Sequence, residues 1–222
     1  MKTLKDILDK WGIIPINSKL YEVALSHSSY ANEHKDKRNY ERLEFLGDAV
    51  LELVMSDYLY RNYEQDEGDM TKKRANYVCE NALYEYMNDL DLIKEIKVGH
   101  GEVGNIKKAI VADCFEALMG AIYLDQGFDA VKKVILEVIT PYIFDNKISF
   151  FNDYKSILQE AMQTDRRTLV YNVVGESGPA HNKTFTVEVR IDNIIYGKGS
   201  ASSKKEACQM AAKATLEKLA KN

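Results

Sequence analysis

The spacing of apolar residues divides the chain into two parts with different periodicities. Through residues 1–146 apolar side chains recur every three or four positions, which is typical of amphipathic helices. Further along, Phe185, Val187, Val189 and Ile191 alternate strictly with polar residues, which predicts a half-buried strand. The change of period predicts an all-α domain followed by a small α+β domain.

Six helices are predicted in the first part, near 4–11, 18–25, 39–61, 71–88, 106–125 and 128–144. Thr3 with Asp6 is expected to cap the first of them, and Thr71 to open the fourth. We expect no strand before Phe144. The domain boundaries that follow are 1–146 for the helical domain, 147–152 for a linker and 153–222 for the second domain.

The second part is predicted to have the order α-β-β-β-α. Asp192 and Asn193 are expected to turn the chain between the last two strands. Both helices should pack on one face of a three-stranded antiparallel sheet. The predicted elements are Tyr154–Gln163, Val170–Gly175, Thr184–Ile191, Ile195–Gly199 and Lys204–Ala220.

Charge is distributed unevenly between the two parts. Residues 1–152 contain 19 basic and 26 acidic side chains, a balance of −7, whereas residues 153–222 contain 11 and 8, a balance of +3. The first part would therefore repel a polyanion unless metal ions neutralise its cleft, and the second part is suited to bind one.

The cysteines and the apolar segments predict the cellular compartment. Cys79, Cys114 and Cys208 are odd in number and far apart, so free thiols in a reducing cytoplasm are expected. No apolar run reaches the roughly 18 residues of a membrane span, and no signal peptide is recognisable. We expect a cytoplasmic protein with no membrane partner.

Two acidic clusters lie in segments that are otherwise apolar. Glu41, Glu44 and Asp48 fall on one stripe of a helix, and Asp113 and Glu116 share a face of another. Buried carboxylates need a partner, and no Lys or Arg lies on the first stripe. The pattern favours a hard divalent cation held between two antiparallel helices, although a solvated acidic face is the alternative interpretation.

Small residues beside the second cluster support a close approach of the two helices. Ala109, Ala117 and Gly120 lie on the face that carries Asp113 and Glu116, so another backbone can come near. We therefore expect the two helices to close a site of four carboxylates.

The start of the last helix contains an unusual arrangement of charge. Ser203 and Glu206 form a predicted capping box, yet Lys204 and Lys205 occupy the first turn, where cations oppose the helix dipole. Free backbone N–H groups and two lysines form an anion site, although a solvated basic turn is equally compatible with the pattern. With a polar loop at 178–183, these groups suit the 2′-hydroxyls and phosphates of A-form RNA.

The chain resembles a known family over nearly its whole length. Asn39 through Ala49 resembles the signature of ribonuclease III, and Asp113 and Glu116 match its second acidic motif. The second part resembles the double-stranded RNA-binding domain at Gly178-Pro179, His181, Lys183–Phe185, Gly197-x-Gly199 and Ser203–Ala207.

The resemblance implies a homodimeric endonuclease that cuts both strands of RNA duplexes, without a small-molecule substrate. It implies 5′-phosphate and 3′-hydroxyl ends, a short 3′ overhang, and a role in processing ribosomal and other RNA. It implies Mg²⁺ as the cofactor, Mn²⁺ as a substitute, and Ca²⁺ as an ion that supports binding without cleavage.

Site residues can be transferred from the family position by position. The implied catalytic metal ligands are Glu44, Asp48, Asp113 and Glu116. The implied secondary acids, near the dimer interface, are Glu41 and Glu67. The implied RNA contacts are Gln159, Glu160, Gln163, Pro179, Ala180, His181, Ser203, Lys204 and Lys205.

Two metal ions can supply the chemistry that hydrolysis of a phosphodiester requires: a hydroxide nucleophile, a stabilised leaving oxygen and shielding of phosphate charge. No Ser/His/Asp or Cys/His pattern supports covalent catalysis. Two rival functions stay open, an inactive duplex binder and a nucleotide phosphohydrolase.

Phe45 also has two interpretations, as a plug at a dimer interface or as a residue packed within the chain.

Overall fold

The computed structural model of the chain describes residues 3–35, 38–144, 154–179 and 183–220. The chain divides into two compact units between Phe151 and Asn152. The predicted linker, 147–152, lies outside the described residues. Each unit has a separate hydrophobic core, as the two periodicities predict.

The first unit is helical, as predicted. Between residues 3 and 144, the described segments contain no strand beyond an isolated bridge that joins Ser26 to Lys97. Two short 3₁₀ helices, Ile93–Glu95 and His100–Glu102, precede the seventh α-helix. The α-helices are α1 (Leu4–Trp11), α2 (Ser18–Ala24), α3 (Ser28–Glu33), α4 (Glu41–Asn62), α5 (Glu67–Val78), α6 (Glu80–Asp89), α7 (Lys108–Gln126) and α8 (Phe128–Phe144).

The structure differs from the helix prediction in three details. The segment predicted as one helix over 71–88 is two helices, because Cys79 takes an extended conformation between α5 and α6. Asp66 rather than Thr71 caps α5, and its carboxylate accepts the Asp69 N–H at 2.9 Å. The six-residue α3 is not predicted, because only Ala31 of its residues is buried and no apolar period marks it.

The centre of the first unit is the crossing of α4 and α7. Eleven residues of α7 are buried, so the helix is surrounded by the other helices. Gly47 and Gly120 allow the two backbones to touch: a Cβ built on Gly47 would lie 1.8 Å from the Glu116 carbonyl oxygen. A Cβ on Gly120 would lie 2.4 Å from the Leu43 carbonyl oxygen. Gly120 meets Leu43 while Glu116 meets Gly47, an opposite order of contacts that agrees with the predicted antiparallel pair.

The second unit has the predicted α-β-β-β-α order. The sheet is antiparallel with strand order β1-β2-β3, and residues from both helices join β2 in one core. Asp192 and Asn193 both have left-handed φ angles, 50° and 68°, and form the predicted turn. The elements are α9 (Tyr154–Thr164), β1 (Leu169–Ser177), β2 (Thr184–Ile191), β3 (Ile194–Ala201) and α10 (Lys204–Leu219).

Two glycines of β3 bring α10 close to the sheet. A Cβ on Gly197 would lie 2.4 Å from Thr215 Oγ1, and one on Gly199 would lie 2.3 Å from the Ala211 nitrogen. The two glycines therefore fix the position of α10 and of the lysines at its first turn. Among the described residues, no helix is both long and apolar enough to cross a membrane.

Candidate metal centre and nucleic-acid interface

Three of the four predicted metal ligands meet beside the crossing of α4 and α7. Carboxylate oxygens of Glu44, Asp113 and Glu116 lie within 4.8 Å of one another, and all three side chains are partly buried. Glu44 lies one turn before Gly47 on α4, so the close backbone contact at Gly47 is what brings it to the two acids of α7. We call Glu44, Asp113 and Glu116 the acidic trio.

All three carboxylates of the trio have raised pKa values, so their surroundings disfavour the ionised form. Burial, and then the charges of Asp48, Asp113 and Glu44, raise the pKa of Glu116 to about 8. Burial also raises the pKa of Glu44, with Asp113 the largest charge contribution. Burial raises the pKa of Asp113 as well, although a hydrogen bond from Tyr40 opposes the shift. A bound cation would lower these pKa values, because it stabilises the ionised carboxylates.

The residues around the trio fit a hard cation. Carboxylate oxygens are the preferred ligands of Mg²⁺ and Mn²⁺. Within the described part of the chain, no Lys or Arg forms an ion pair with Glu44, Asp113 or Glu116. The predicted cluster is therefore a group of partly buried acids without a protein cation, which favours a metal site over a solvated acidic face.

The fourth predicted ligand and the first secondary acid lie at the edge of the trio. Asp48 is exposed and lies outside the trio, one turn along α4 from Glu44. Its charge is nevertheless the largest charge contribution to the raised pKa of Glu116. Glu41 is also exposed, and its charge contributes to the raised pKa of Glu44. Both acids therefore add negative potential to the same site.

Glu67 lies elsewhere in the chain. It begins α5 and lines a cavity of about 520 Å³ together with Leu53, Asp57 and Tyr60 of α4. Among the described residues, Glu67 is not one of the acids whose carboxylate oxygens meet in the trio.

A buried tyrosine that the sequence analysis does not single out contacts the trio. The Tyr40 hydroxyl donates a hydrogen bond to Asp113 Oδ2 at 2.9 Å, and the tyrosine is 4% exposed. Its ring lies 5.6 Å from the ring of His27, whose Nδ1 lies 3.0 Å from Glu102 Oε2. Tyr40 directly precedes the acidic motif, but its contact with Asp113 spans 73 residues, so no sequence spacing indicates it.

The residues of the predicted anion site lie at the start of α10, where Lys204 has an acidic neighbour. Ser203 Oγ accepts the Glu206 N–H at 3.1 Å, as predicted. The capping box is incomplete, because the Glu206 carboxylate accepts from Ser202 Oγ at 3.2 Å. Lys204 Nζ lies 3.1 Å from Glu176 Oε1, and Lys205 is exposed. No sequence pattern indicates this role for Glu176, since it lies far from Lys204 along the chain, on β1.

The other predicted RNA contacts are exposed where the structure describes them. Gln159, Glu160 and Gln163 lie exposed on α9, and Pro179 follows β1. The predicted contacts Ala180 and His181 lie outside the described residues.

Comparison with known proteins identifies the family. Residues 17–143 match the family described as Ribonuclease-III-like, and residues 154–219 match the Double-stranded RNA binding motif. The chain belongs to the ribonuclease III family. The members of this family are endoribonucleases that act on double-stranded RNA, and the resemblance predicted from the sequence is confirmed.

Curated relatives match over almost their full length. Ribonuclease 3 of Onion yellows phytoplasma is 44% identical, over 100% of this chain and 93% of the relative. Ribonuclease 3 of Listeria innocua is 45% identical, over 99% of both. The nuclease domain of ribonuclease III from Campylobacter jejuni is 36% identical with a TM-score of 0.57, and covers 64% of this chain and 97% of that domain.

Proposed function

We propose that this chain is a metal-dependent endoribonuclease that hydrolyses phosphodiester bonds in double-stranded RNA with two Mg²⁺ ions. The observation that carries the proposal is the acidic trio, whose carboxylates are partly buried, have raised pKa values and form no ion pair with a Lys or Arg among the described residues. When bound, the ions supply the hydroxide nucleophile and stabilise the leaving oxygen. We propose Mn²⁺ as a substitute, and Ca²⁺ as an ion that supports binding without cleavage.

In this proposal the protein residues bind and orient, and none of them attacks the phosphate. Glu44, Asp113 and Glu116 hold the ions, and exposed Asp48 completes the set from the edge of the trio. Tyr40 orients Asp113 through its hydrogen bond. Glu41 adds negative potential at the same edge. The products we propose are 5′-phosphate and 3′-hydroxyl ends with a short 3′ overhang.

The second unit is proposed to hold the duplex by its shape. Ser203, Lys204 and Lys205 would contact phosphates at the start of α10, where free N–H groups and lysines favour anions. Gln159, Glu160 and Gln163 on α9 offer donors and acceptors to 2′-hydroxyls, and the loop with Pro179, Ala180 and His181 would enter a minor groove.

A homodimer is proposed from an exposed apolar strip on α4. Phe45, Leu53 and Tyr60 are 82%, 57% and 78% exposed, and their positions fall within a sector of about 80° around the helix. The exposure of Phe45 argues against packing within the chain, and leaves the interface interpretation. A solved structure of the ribonuclease III nuclease domain from Campylobacter jejuni is described as flexible in a region involved in dimer formation, which supports the same assembly here.

A second copy would also give Glu67 a role in the site. Because Glu67 is outside the trio of its own chain, we propose that it serves the catalytic cleft across the dimer. The dimer interface itself is tested with two matched substitutions, Phe45→Glu in the exposed strip of α4 and Ile16→Glu outside it as the control. Both side chains are 82% exposed. Sedimentation should show monomers for the first variant and dimers for the second, and dimers for both would contradict this interface.

The decisive experiment separates cleavage from binding. The wild-type chain should cut a plain RNA duplex in Mg²⁺, whereas Glu116→Ala should lose cutting by several orders of magnitude and keep duplex affinity within about twofold, because the residues that hold RNA are elsewhere. Binding without cutting by the wild type would indicate an inactive duplex binder. Turnover of a nucleotide but not of the duplex would indicate a phosphohydrolase.

The cellular role is proposed on the same basis. We propose that the enzyme acts in the cytoplasm on ribosomal RNA precursors and other transcripts with duplex segments. The three cysteines are free thiols, which agrees with a reducing compartment.

A further inference from the structure

A basic pocket lies in the first unit, although that unit is acidic as a whole. It is lined on one side by α2 and α3, which contribute Lys19 and the Tyr30 ring, and on the other by Arg38 and Lys97. Its volume is about 240 Å³. We call it the α2–α3 pocket. Residues 1–152 carry 26 acidic and 19 basic side chains, so a concave site with three cations is a departure from its surroundings.

The charges of the pocket are only partly balanced. Among the described residues that line it, Lys19 and Lys97 face a single carboxylate, that of Glu22. Among the described residues, neither Lys19 nor Lys97 forms an ion pair. Lys97 Nζ lies 5.9 Å from the centre of the Tyr30 ring, and the His34 ring stacks on Tyr30 at 4.0 Å. The stacked rings form a wall beside the ammonium group.

The pocket is large enough for a phosphate group. Its volume of about 240 Å³ is many times the roughly 10–15 Å³ that one water molecule needs. The charge and the size of the pocket are therefore compatible with a phosphate.

The backbone of the pocket is joined to the acidic trio. Ser26, which lines the pocket, accepts the Tyr40 N–H through its carbonyl at 3.0 Å, and the Tyr40 hydroxyl donates to Asp113. Lys97 is fixed on the same segment, because its N–H donates to the Leu25 carbonyl at 2.8 Å and its carbonyl accepts the His27 N–H at 2.9 Å. Through Tyr40, the pocket and the trio are thus neighbours in the first unit, and the proposal below takes one duplex to contact both.

We propose that the α2–α3 pocket binds a backbone phosphate of the RNA duplex at a distance from the bond that is cut. The inference rests on the proposed function. Lys19 and Lys97 provide the charge, Arg38 lies at the edge, and the Tyr30–His34 pair closes one wall. The pocket attracts the polyanion to a unit whose net charge would otherwise repel it.

The test measures the salt dependence of duplex binding in the full chain with Glu116→Ala, so that the RNA is not cut. Adding Lys19→Ala and Lys97→Ala should make the slope of log affinity against log salt less negative by about one unit, because one phosphate contact is lost. The matched control is Lys133→Ala, which removes an exposed lysine of α8 outside the pocket. The control should leave the slope unchanged.

The outcomes distinguish this proposal from the proposed function. If the chain with intact Glu116 cuts the duplex, but the slope is the same with and without Lys19 and Lys97, the pocket proposal is overturned and the nuclease stands. If inorganic phosphate raises the melting temperature through the two lysines while the slope stays unchanged, the pocket is a site for free phosphate and the proposal is also overturned. Failure of the unmodified chain to cut any duplex would instead remove the proposed function.

Discussion

The contact between α4 and α7 at Gly47 permits a sharp test of the metal centre. In Gly47→Ala the new Cβ would lie 1.8 Å from the Glu116 carbonyl oxygen and 2.5 Å from its carbonyl carbon, whereas real Cβ contacts essentially never fall below 3.0 Å. The atoms in the way belong to a helix backbone and cannot rotate aside. The helices must therefore separate by about 1.2 Å, the difference between 3.0 and 1.8 Å.

Two opposing terms set the effect on stability. Alanine favours a helix over glycine by roughly 0.5–1 kcal/mol, whereas overpacking of a well-packed core costs roughly 1–3 kcal/mol or more. Because the overlap is with rigid backbone, we expect the upper part of that range and a net loss of about 2 kcal/mol. For a protein of this size, that loss lowers the melting temperature by roughly 4–8 °C.

The effect on metal binding should be larger than the effect on stability. Metal ligands tolerate shifts of only about 0.2 Å, and a separation of the helices moves Glu44 away from Asp113 and Glu116. Calorimetric titration with Mn²⁺ should therefore show a large loss of affinity in Gly47→Ala, accompanied by loss of duplex cutting. Gly101→Ala is the matched control, because a Cβ at Gly101 has nothing within 4 Å. A Gly47→Ala protein that melts and binds Mn²⁺ like wild type would show that the Gly47–Glu116 contact does not set the geometry of the metal centre.

Three further predictions concern single side chains. Tyr40→Phe keeps the buried ring but removes the hydrogen bond to Asp113, so Mn²⁺ affinity should fall roughly tenfold with little change in melting temperature; equal affinity would show that the hydroxyl does not position Asp113. The raised pKa of Glu116, about 8 against a usual 4.5, contributes stability that is present below about pH 4.5 and is lost as the pH rises through about 8. Metal-free protein should therefore melt lower at about pH 9 than at about pH 6, Mg²⁺ should raise the melting temperature more at the higher pH, and Glu116→Gln should flatten both trends; a metal-free melting temperature that does not depend on this side chain would contradict the assignment. Glu176→Gln removes the carboxylate beside Lys204, so duplex affinity should rise by about two- to fivefold at low salt in a filter-binding assay, and unchanged affinity would show that Glu176 does not compete with phosphate.

Local sequence rules predict most of the elements. The apolar period places α4, α7 and α8 within about two residues of their ends, and alternation places β2 at Thr184–Ile191. The prediction is wrong where a short break leaves the period unchanged, as at Cys79 between α5 and α6. Leu53 shows a second limit of the apolar pattern, because it is an apolar residue of α4 and is nevertheless 57% exposed. Periodicity identifies a face, but it does not say which neighbour covers that face or where it ends.

The amino-acid pattern is enough to predict the carboxylates, the close-packing glycine of α7 and most of the helices and strands, because those depend on residue type and on contacts a few positions apart. The grouping of the acids into one site depends on how the helices pack. This packing brought Glu44 to Asp113 and Glu116, left Asp48 at the edge, and placed Glu67 in a separate cavity beside α4 and α5. Acids on two helices that are far apart along the chain can meet only where the two helix backbones pack against each other. The distance between α4 and α7 is set by the Gly47–Glu116 contact rather than by any spacing in the sequence.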